Sequence, residues 1–318
     1  MPHPHMIFDL EECEQLSSLP QKNTVLITTG QAHLNFLMWS VFSVLLRSKV
    51  GGFLEHINVA INGPDARCGD PTLQDQKQAF LEELRNLKWQ SEVGGPKRDM
   101  PLTVIRVWSR VGAEQAVEMA VPWVHTDSYT YIHDDTLWLT KGWENIVMKE
   151  LYQDKVAMVY PEPFYTGHLS WSVYDGKPKL NFPHTISPCM ICRKPIFAKC
   201  GIRWTGYHFT NEFTVEEKVK EMAEFLNAHK PNVLPLPSSQ RYGFASYDIG
   251  SWVYYTLKSQ GYKLNPVKDL HVHHFVSMSW SADPERVRAA EFHIQNLEKD
   301  IRQFPEYWDL YMKFKKEL

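Results

Sequence analysis

Two adjacent carboxylates, Asp134 and Asp135, follow an apolar and aromatic run from Tyr129 to Ile132, with His133 at the junction. The run is typical of a buried strand, and carboxylates at its end are costly to remove from water unless a positive charge meets them. Oxygen ligands favour Mg²⁺ or Mn²⁺, and Mg²⁺ uses one or two carboxylates together with substrate phosphates. The segment therefore predicts a divalent-metal site that holds a diphosphate. The alternative is that Asp134 caps the next helix and Asp135 forms a surface ion pair.

Three histidines within four positions, His271, His273 and His274, form a second group with metal-binding chemistry. A neutral imidazole is a common metal ligand. Alternate residues of a strand share a face, so His271 and His273 can chelate one ion together. His273 is the first choice if only one of them binds, although the spacing does not separate it from His274. The alternative is that they pack in the core.

Composition excludes several classes of function. The chain has 318 residues, a net charge of −3, and 43% hydrophobic residues. It lacks the basic bias of nucleic-acid-binding proteins, and no apolar run reaches membrane-spanning length. The N-terminus shows no secretory signal, and five scattered cysteines fit a reducing, cytoplasmic compartment. Cys189 and Cys192 have the spacing of a zinc or redox pair, but the pattern around them favours a strand with buried, inert thiols.

The first half of the chain alternates strands and helices, which predicts an α/β fold with a mostly parallel central sheet and helices on both faces. The predicted strands are 25–29, 56–61, 102–108, 130–132 and 156–160, and the predicted helices are 34–46, 74–87, 112–124 and 143–151. After residue 160 the alternation stops. That half is predicted to hold a hairpin at 170–182, a strand at 186–192, and helices at 214–229, 249–260, 283–304 and 306–316.

Polar residues collect where the predicted strands end. Ligands of open α/β sheets bind at the carboxyl ends of the strands, so these residues are expected to form one site. They are Thr28, Thr29 and Gly30 after the first strand, Asn62 and Asp65 after the second, Arg110 after the third, and His133 to Asp135 after the fourth.

The segment Tyr-Ile-His-Asp-Asp-Thr-Leu-Trp-Leu-Thr-Lys-Gly-Trp, residues 131–143, resembles the Asp-x-Asp motif and following Gly-Trp pair of GT-A glycosyltransferases. His133 stands where the family pattern has its first aspartate. The resemblance implies that Asp135 binds Mn²⁺ or Mg²⁺ and that Asp134 makes a supporting contact. It assigns His133 to the nucleotide sugar, either donating to a hydroxyl or binding the metal as neutral imidazole.

Other segments, in the same order as in the family, extend the resemblance to residues 24–280. Residues 112–120 resemble the helix that lines the nucleotide pocket, which implies a contact from Gln115. Residues 181–201 resemble the segment that shapes the acceptor side. Residues 271–280 resemble the part that supplies a C-terminal histidine to the metal, which implies that role for one of His271, His273 and His274.

Residues 247–252, Tyr-Asp-Ile-Gly-Ser-Trp, resemble the acidic motif that often carries the catalytic base in inverting members. The resemblance implies that Asp248 takes the proton from the acceptor hydroxyl. The helix macrodipole would stabilise this carboxylate and lower its basicity. The alternative is that Asp248 only caps the helix from Ile249, and a retaining enzyme would use the same pocket without this base.

Together these features predict a cytoplasmic, metal-dependent glycosyltransferase that uses a nucleotide-diphosphate sugar donor and a hydroxyl acceptor such as a glycan. We expect a single domain over residues 1–318, with a nucleotide-sugar half at 24–160, an acceptor half at 161–280 and a helical extension at 281–318. One alternative is a nucleotidyltransferase, although residues 28–34 lack the glycine-rich, basic loop that holds a triphosphate. Another is a non-catalytic carbohydrate-binding protein, which would leave the acidic and histidine residues without a common purpose.

Overall fold

A fully buried strand forms the centre of the fold. β1 (Asn23–Thr29) is buried at every position, and it pairs in parallel with β2 (Leu54–Ile61) on one side and β6 (Ser128–His133) on the other. Strands covered on both faces need continuous apolar runs, and the Val-Leu-Ile run of β1 meets this need. The predicted first strand is therefore confirmed and begins two residues earlier.

The structure, a computed structural model, describes residues 21–30, 33–63, 72–108, 113–162, 170–174, 177–181, 189–202, 204, 244–246, 249–275 and 284–317. The remaining strands are β3 (Lys88–Trp89), β4 (Arg98–Asp99), β5 (Leu102–Arg106), β7 (Thr136–Trp138), β8 (Val156–Pro161), β9 (Ser170–Tyr174), β10 (Lys177–Asn181), β11 (Cys189–Arg193), β12 (Phe244–Ser246), β13 (Lys263–Val267) and β14 (Val272–His274). The helices are α1 (Leu34–Arg47), α2 (Leu73–Arg85), α3 (Ala113–Ala120), α4 (Trp143–Leu151), α5 (Lys194–Lys199), α6 (Ile249–Ser259), α7 (Pro284–Ile301) and α8 (Pro305–Phe314).

Among the described residues, the central sheet has seven strands in the order β13-β8-β11-β6-β1-β2-β5. Within it β11 runs antiparallel to both of its neighbours, and the other pairings are parallel. This confirms the predicted mostly parallel sheet with flanking helices. β13, an edge strand that contains Pro266, was not predicted from the sequence. Proline is tolerated at a sheet edge because its missing N–H need not pair there.

Two hydrophobic clusters divide the core. Cys189 belongs to one and Cys192 to the other, and burial raises the pKa of both thiols well above the usual range. The two cysteines therefore do not form the zinc or redox pair that their spacing suggests. Both are buried side chains of β11, as the alternation of a strand requires.

The C-terminal helices cover α1 and α2. The Trp39 indole N–H donates to the Tyr311 hydroxyl at 2.9 Å, and that hydroxyl donates to Glu298 at 2.6 Å. Arg47, at the end of α1, forms an ion pair with Asp300 at 2.6 Å.

The helix predicted at 112–124 is confirmed as α3 followed by a short 3₁₀ turn at Val121–Trp123. No helix of the described residues is both long and apolar enough to cross a membrane.

The paired strands β9 and β10 confirm the predicted hairpin, while residues 175–176 between them and the predicted helix at 214–229 lie outside the described residues. A small ladder outside the main sheet positions the candidate site. β6 runs through a turn at Asp134 and Asp135 into β7, and β14 pairs antiparallel with β7. This pairing brings His274 beside the acidic turn, from which it is separated by more than 130 positions along the chain.

Candidate metal centre

The end of β6 lies in the middle of the central sheet, beside the end of β1. Thr28 of β1 is level with His133 of β6, and the Thr28 hydroxyl donates to the Tyr131 hydroxyl at 3.4 Å. Both strands point their carboxyl ends to the same edge. Open α/β sheets bind ligands at this edge, so the acidic turn lies where the topology places a site.

Pairing of β14 with β7 sets His274 opposite Thr136, and the Phe275 N–H donates to the Asp135 carbonyl at 3.0 Å. This register brings the His274 ring to the Asp135 side chain, with 3.1 Å between Nε2 and Oδ1. His133 Nδ1 lies 3.9 Å from the same carboxylate oxygen. One ligand atom from each of the three residues lies within 4.8 Å of the other two.

These separations fit a shared divalent ion. Ligands about 2.1 Å from an octahedral ion lie about 3.0 Å apart when adjacent and about 4.2 Å apart when opposite. The His274–Asp135 separation of 3.1 Å matches adjacent ligands, and the His133–Asp135 separation of 3.9 Å lies between the two values. One carboxylate and two imidazoles form a donor set that binds divalent transition metals. The three side chains can therefore hold one cation with small adjustments of their rings.

The three side chains differ in burial, which gives the cluster an open side. The Asp135 side chain is 1% exposed, whereas His274 is 14% and His133 is 31% exposed. A cation held here would meet the carboxylate from within the fold and the solvent on the side of His133. An exchangeable ligand such as a phosphate oxygen would approach from that side.

The Asp134 side chain lies beside the end of β1. Its Oδ2 lies 3.8 Å from Lys77 Nζ, and the neighbouring Thr29 side chain and Gly30 backbone lower its pKa. The Lys77 ammonium also donates to Thr29 Oγ1 at 2.6 Å and to the Gly30 carbonyl at 3.0 Å. Burial raises the pKa of Asp134 to about 6, against the lowering effect of Lys77.

Lys77 was not among the predicted site residues, although the sequence pattern contained a signal for it. On α2, Lys77 is followed at helical spacing by Phe80, Leu81 and Leu84, and all four side chains are buried. A lysine in line with an apolar stripe is a charge that the fold must neutralise. Asp134 supplies the neutralising carboxylate.

The other two histidines lie apart from the cluster. The His273 ring lies 5.1 Å from that of His293 on α7 and 5.0 Å from that of Phe275, and burial lowers the pKa of His273. His271 is exposed, and its backbone N–H donates to Thr140 Oγ1 at 2.8 Å. Among the three histidines of the predicted set, His274 is the one beside Asp135. A metal-binding role for any of them stays a prediction.

Other predicted site residues line the same sheet edge. The Asn62 N–H donates to the Thr29 carbonyl at 2.7 Å, and the Asn62 side chain accepts from the Gly63 N–H at 2.9 Å. The ends of β1 and β2 are thereby joined beside Gly30. Asp65, Arg110 and Asp248 lie outside the described residues. Gln115 belongs to α3, where the structure describes its backbone but not its side chain.

No protein-family model matches the chain, and no curated protein matches it. The solved structures that resemble its fold include the following two, both at low sequence identity. One is GalNAc-T7 with UDP, GalNAc and Mn²⁺, with 12% identity and a TM-score of 0.49 over 93% of this chain and 55% of that one. The other is 4-diphosphocytidyl-2C-methyl-D-erythritolsynthase from Anaerococcus prevotii, with 7% identity and a TM-score of 0.44 over 86% and 96%. The chain thus spans about half of GalNAc-T7, and neither likeness assigns it a function.

Proposed function

We propose that this protein is a divalent-metal-dependent glycosyltransferase of the GT-A type, which moves a sugar from a nucleotide-diphosphate sugar to an acceptor hydroxyl. The observation that carries the proposal is the cluster of His133, Asp135 and His274 at the carboxyl edge of a mostly parallel sheet. Such edges are where α/β folds bind nucleotides, and a metal at that edge suits a diphosphate.

Each residue of the cluster has a distinct part in this proposal. Asp135 supplies the buried negative charge that holds Mn²⁺ or Mg²⁺, while His133 and His274 supply neutral nitrogen ligands on the more exposed side. When bound, the cation neutralises negative charge on the departing diphosphate. Thr28 and Asn62, at the neighbouring strand ends, are proposed to contact the base or ribose.

The acceptor half of the proposal depends on Asp248. If the enzyme inverts configuration, Asp248 accepts the proton of the attacking hydroxyl, a contribution of roughly 10²–10⁴-fold in rate. A retaining enzyme would use the same donor pocket without this base. Stereochemistry is read directly from the anomeric configuration of the product by proton NMR.

The donor set is shared with one competing class of enzyme. Two histidines and one carboxylate are also the metal ligands of non-haem Fe(II) oxygenases. The position of the cluster beside β1 and β2, at the edge where open sheets bind nucleotides, favours the transferase. Oxygen consumption with Fe(II) and a 2-oxoacid, compared with nucleotide release with Mn²⁺, separates the two functions.

The test is release of nucleoside diphosphate from a panel of sugar nucleotides in the presence of Mn²⁺. The wild-type protein is expected to turn over at least one donor, and Asp135→Asn is expected to lower that rate by at least about 100-fold. Asp99→Asn is the matched control, because Asp99 is an exposed residue of β4 that pairs with Lys88. Undiminished turnover in Asp135→Asn would refute the proposed role of the cluster.

A further inference from the structure

The ammonium of Lys77 lies inside the fold next to the candidate metal centre. Its side chain has no exposed surface, and its contacts include Thr29 Oγ1, the Gly30 carbonyl and Asp134 Oδ2. A buried ammonium is costly unless a counter-charge and hydrogen-bond acceptors surround it. The end of β1 supplies the acceptors, and the acidic turn supplies the counter-charge.

The two consecutive carboxylates are consequently held in different surroundings. Asp134 Oδ2 lies 3.8 Å from Lys77 Nζ, whose ammonium also donates to Thr29 Oγ1 and to the Gly30 carbonyl. Asp135 lies 3.1 Å from His274 and 3.9 Å from His133. A carboxylate that serves as the counter-ion of a buried ammonium is retained by that charge rather than offered to a cation beside Asp135.

We propose that Lys77 is a positioning residue that retains Asp134 as its counter-ion and so leaves Asp135 as the single carboxylate of the metal centre formed by the described residues. The inference rests on the proposed function, because it concerns the same metal centre. It adds a residue on α2 that no motif of the acidic segment contains.

This arrangement sets the charge that a diphosphate meets. One carboxylate, two neutral imidazoles and a divalent cation leave a net charge of about +1, whereas a second carboxylate would cancel it. A positive centre attracts an anionic diphosphate more strongly than a neutral one. Lys77 would therefore favour diphosphate binding without contacting the diphosphate, because its ammonium is buried.

Removal of the ammonium tests this effect. In Lys77→Met, Asp134 loses its counter-ion and is expected to turn to the metal as a second carboxylate ligand. We expect the affinity for Mn²⁺–pyrophosphate, measured by calorimetry, to fall at least about 10-fold. The visible absorption of bound Co²⁺ is expected to change with the added ligand.

The double variant Lys77→Met/Asp134→Asn removes both charges. It is expected to restore the wild-type Co²⁺ spectrum and to return the pyrophosphate affinity to within about 3-fold of the wild-type value.

A matched control separates this effect from a general loss of stability. Arg47→Met breaks another ion pair, between the buried Arg47 at the far end of α1 and the partly exposed Asp300. Arg47 lies about 16 Å along the helix axis from Phe36, which contacts Phe275 beside the centre. This variant is expected to melt at a lower temperature and to keep wild-type binding of Mn²⁺ and pyrophosphate.

Three results would overturn the inference. The first is a Lys77→Met variant with the wild-type Co²⁺ spectrum and pyrophosphate affinity, and the second is a double variant whose pyrophosphate affinity is no higher than that of Lys77→Met. The third is a loss of Mn²⁺ affinity in Asp134→Asn as large as the loss in Asp135→Asn. If Lys77→Met does not fold, Asp134→Asn decides alone, and Mn²⁺ affinity within about 3-fold of wild type supports the inference. A wild-type protein that binds no Mn²⁺ would overturn the proposed function as well, whereas bound Mn²⁺ without an effect of Lys77 would overturn only this inference.

Discussion

Asp134 and Asp135 show how identical neighbouring side chains acquire different surroundings. The sequence predicts a metal site at this pair, and the structure divides the pair between Lys77 on one side and the two histidines on the other. Burying carboxylates is costly, so the sequence predicts that positively charged partners meet this pair. It does not identify the partner of each carboxylate. Lys77 and His274 reach this point from distant parts of the chain, so their pairing depends on the tertiary fold.

At the residue scale, His274→Ala and His273→Ala form a matched pair of variants. Of these two histidines, His274 lies within ligand distance of Asp135, whereas His273 packs against His293 and Phe275. We expect His274→Ala to lower Mn²⁺ affinity about 10- to 100-fold, and His273→Ala to change it less than about 3-fold. Calorimetric titration with Mn²⁺ measures both. Equal losses in the two variants would show that the register of β14 differs from the one described.

At the element scale, the short β7–β14 ladder positions the site, and its anchor is Phe275. This ring packs against Phe36 at 4.9 Å and Trp39 at 5.7 Å between centroids, so α1 fixes the strand that carries His274. Strands of three residues have too little periodicity to be predicted, which is why the sequence indicates the histidines as candidates but not which of them lies beside Asp135. The long helix α1 and the buried β1 were predicted within two residues because their apolar patterns extend over whole elements.

Phe275→Ala tests this anchor. Loss of a buried aromatic ring leaves a cavity, so we expect the free energy of unfolding to fall by about 3–5 kcal/mol. Urea denaturation followed by tryptophan fluorescence measures the change. Mn²⁺ affinity is expected to fall together with stability, and a variant with wild-type stability would mean that α1 does not hold β14.

The pairing of β2 with β5 contains a group that responds to pH. His56 on β2 shares a 2.7 Å hydrogen bond with the Thr103 hydroxyl on β5, and burial lowers its pKa below 6.5. Because the unfolded chain then binds the proton more readily, the stability from neutral His56 is present above pH 6.5 and is lost as pH falls through the folded-state pKa. We expect thermal melting between pH 7.5 and 5.5 to show a smaller loss for His56→Gln than for wild type. An equal loss would exclude His56 as the group responsible.

At the scale of the whole molecule, the C-terminal helices belong to the core that supports the site. Tyr311 connects Trp39 on α1 with Glu298 on α7, and Tyr307 accepts from the Gln90 N–H and donates to the Lys88 carbonyl. The strand and helix alternation predicted the layered α/β architecture, since period and order determine it. The docking of α7 and α8 on α1 and α2 follows from side-chain fit, which periodicity alone does not specify.

Tyr311→Phe tests the docking without removing the ring. The variant leaves the buried Trp39 indole N–H without its acceptor and Glu298 without one donor, so we expect a loss of about 1–3 kcal/mol in the free energy of unfolding. Chemical denaturation measures it. Mn²⁺ binding is expected to be unchanged in the folded variant, and a parallel loss of metal affinity would show that the helices act on the site itself.

The most direct test of the central claim is a crystal grown with Mn²⁺ and a nucleoside diphosphate, with data collected at the manganese absorption edge. We predict one anomalous peak among His133 Nδ1, Asp135 Oδ1 and His274 Nε2, with the diphosphate on the open side of His133. A peak bound by Asp134 or His273, or no peak at the end of β6, would contradict the account.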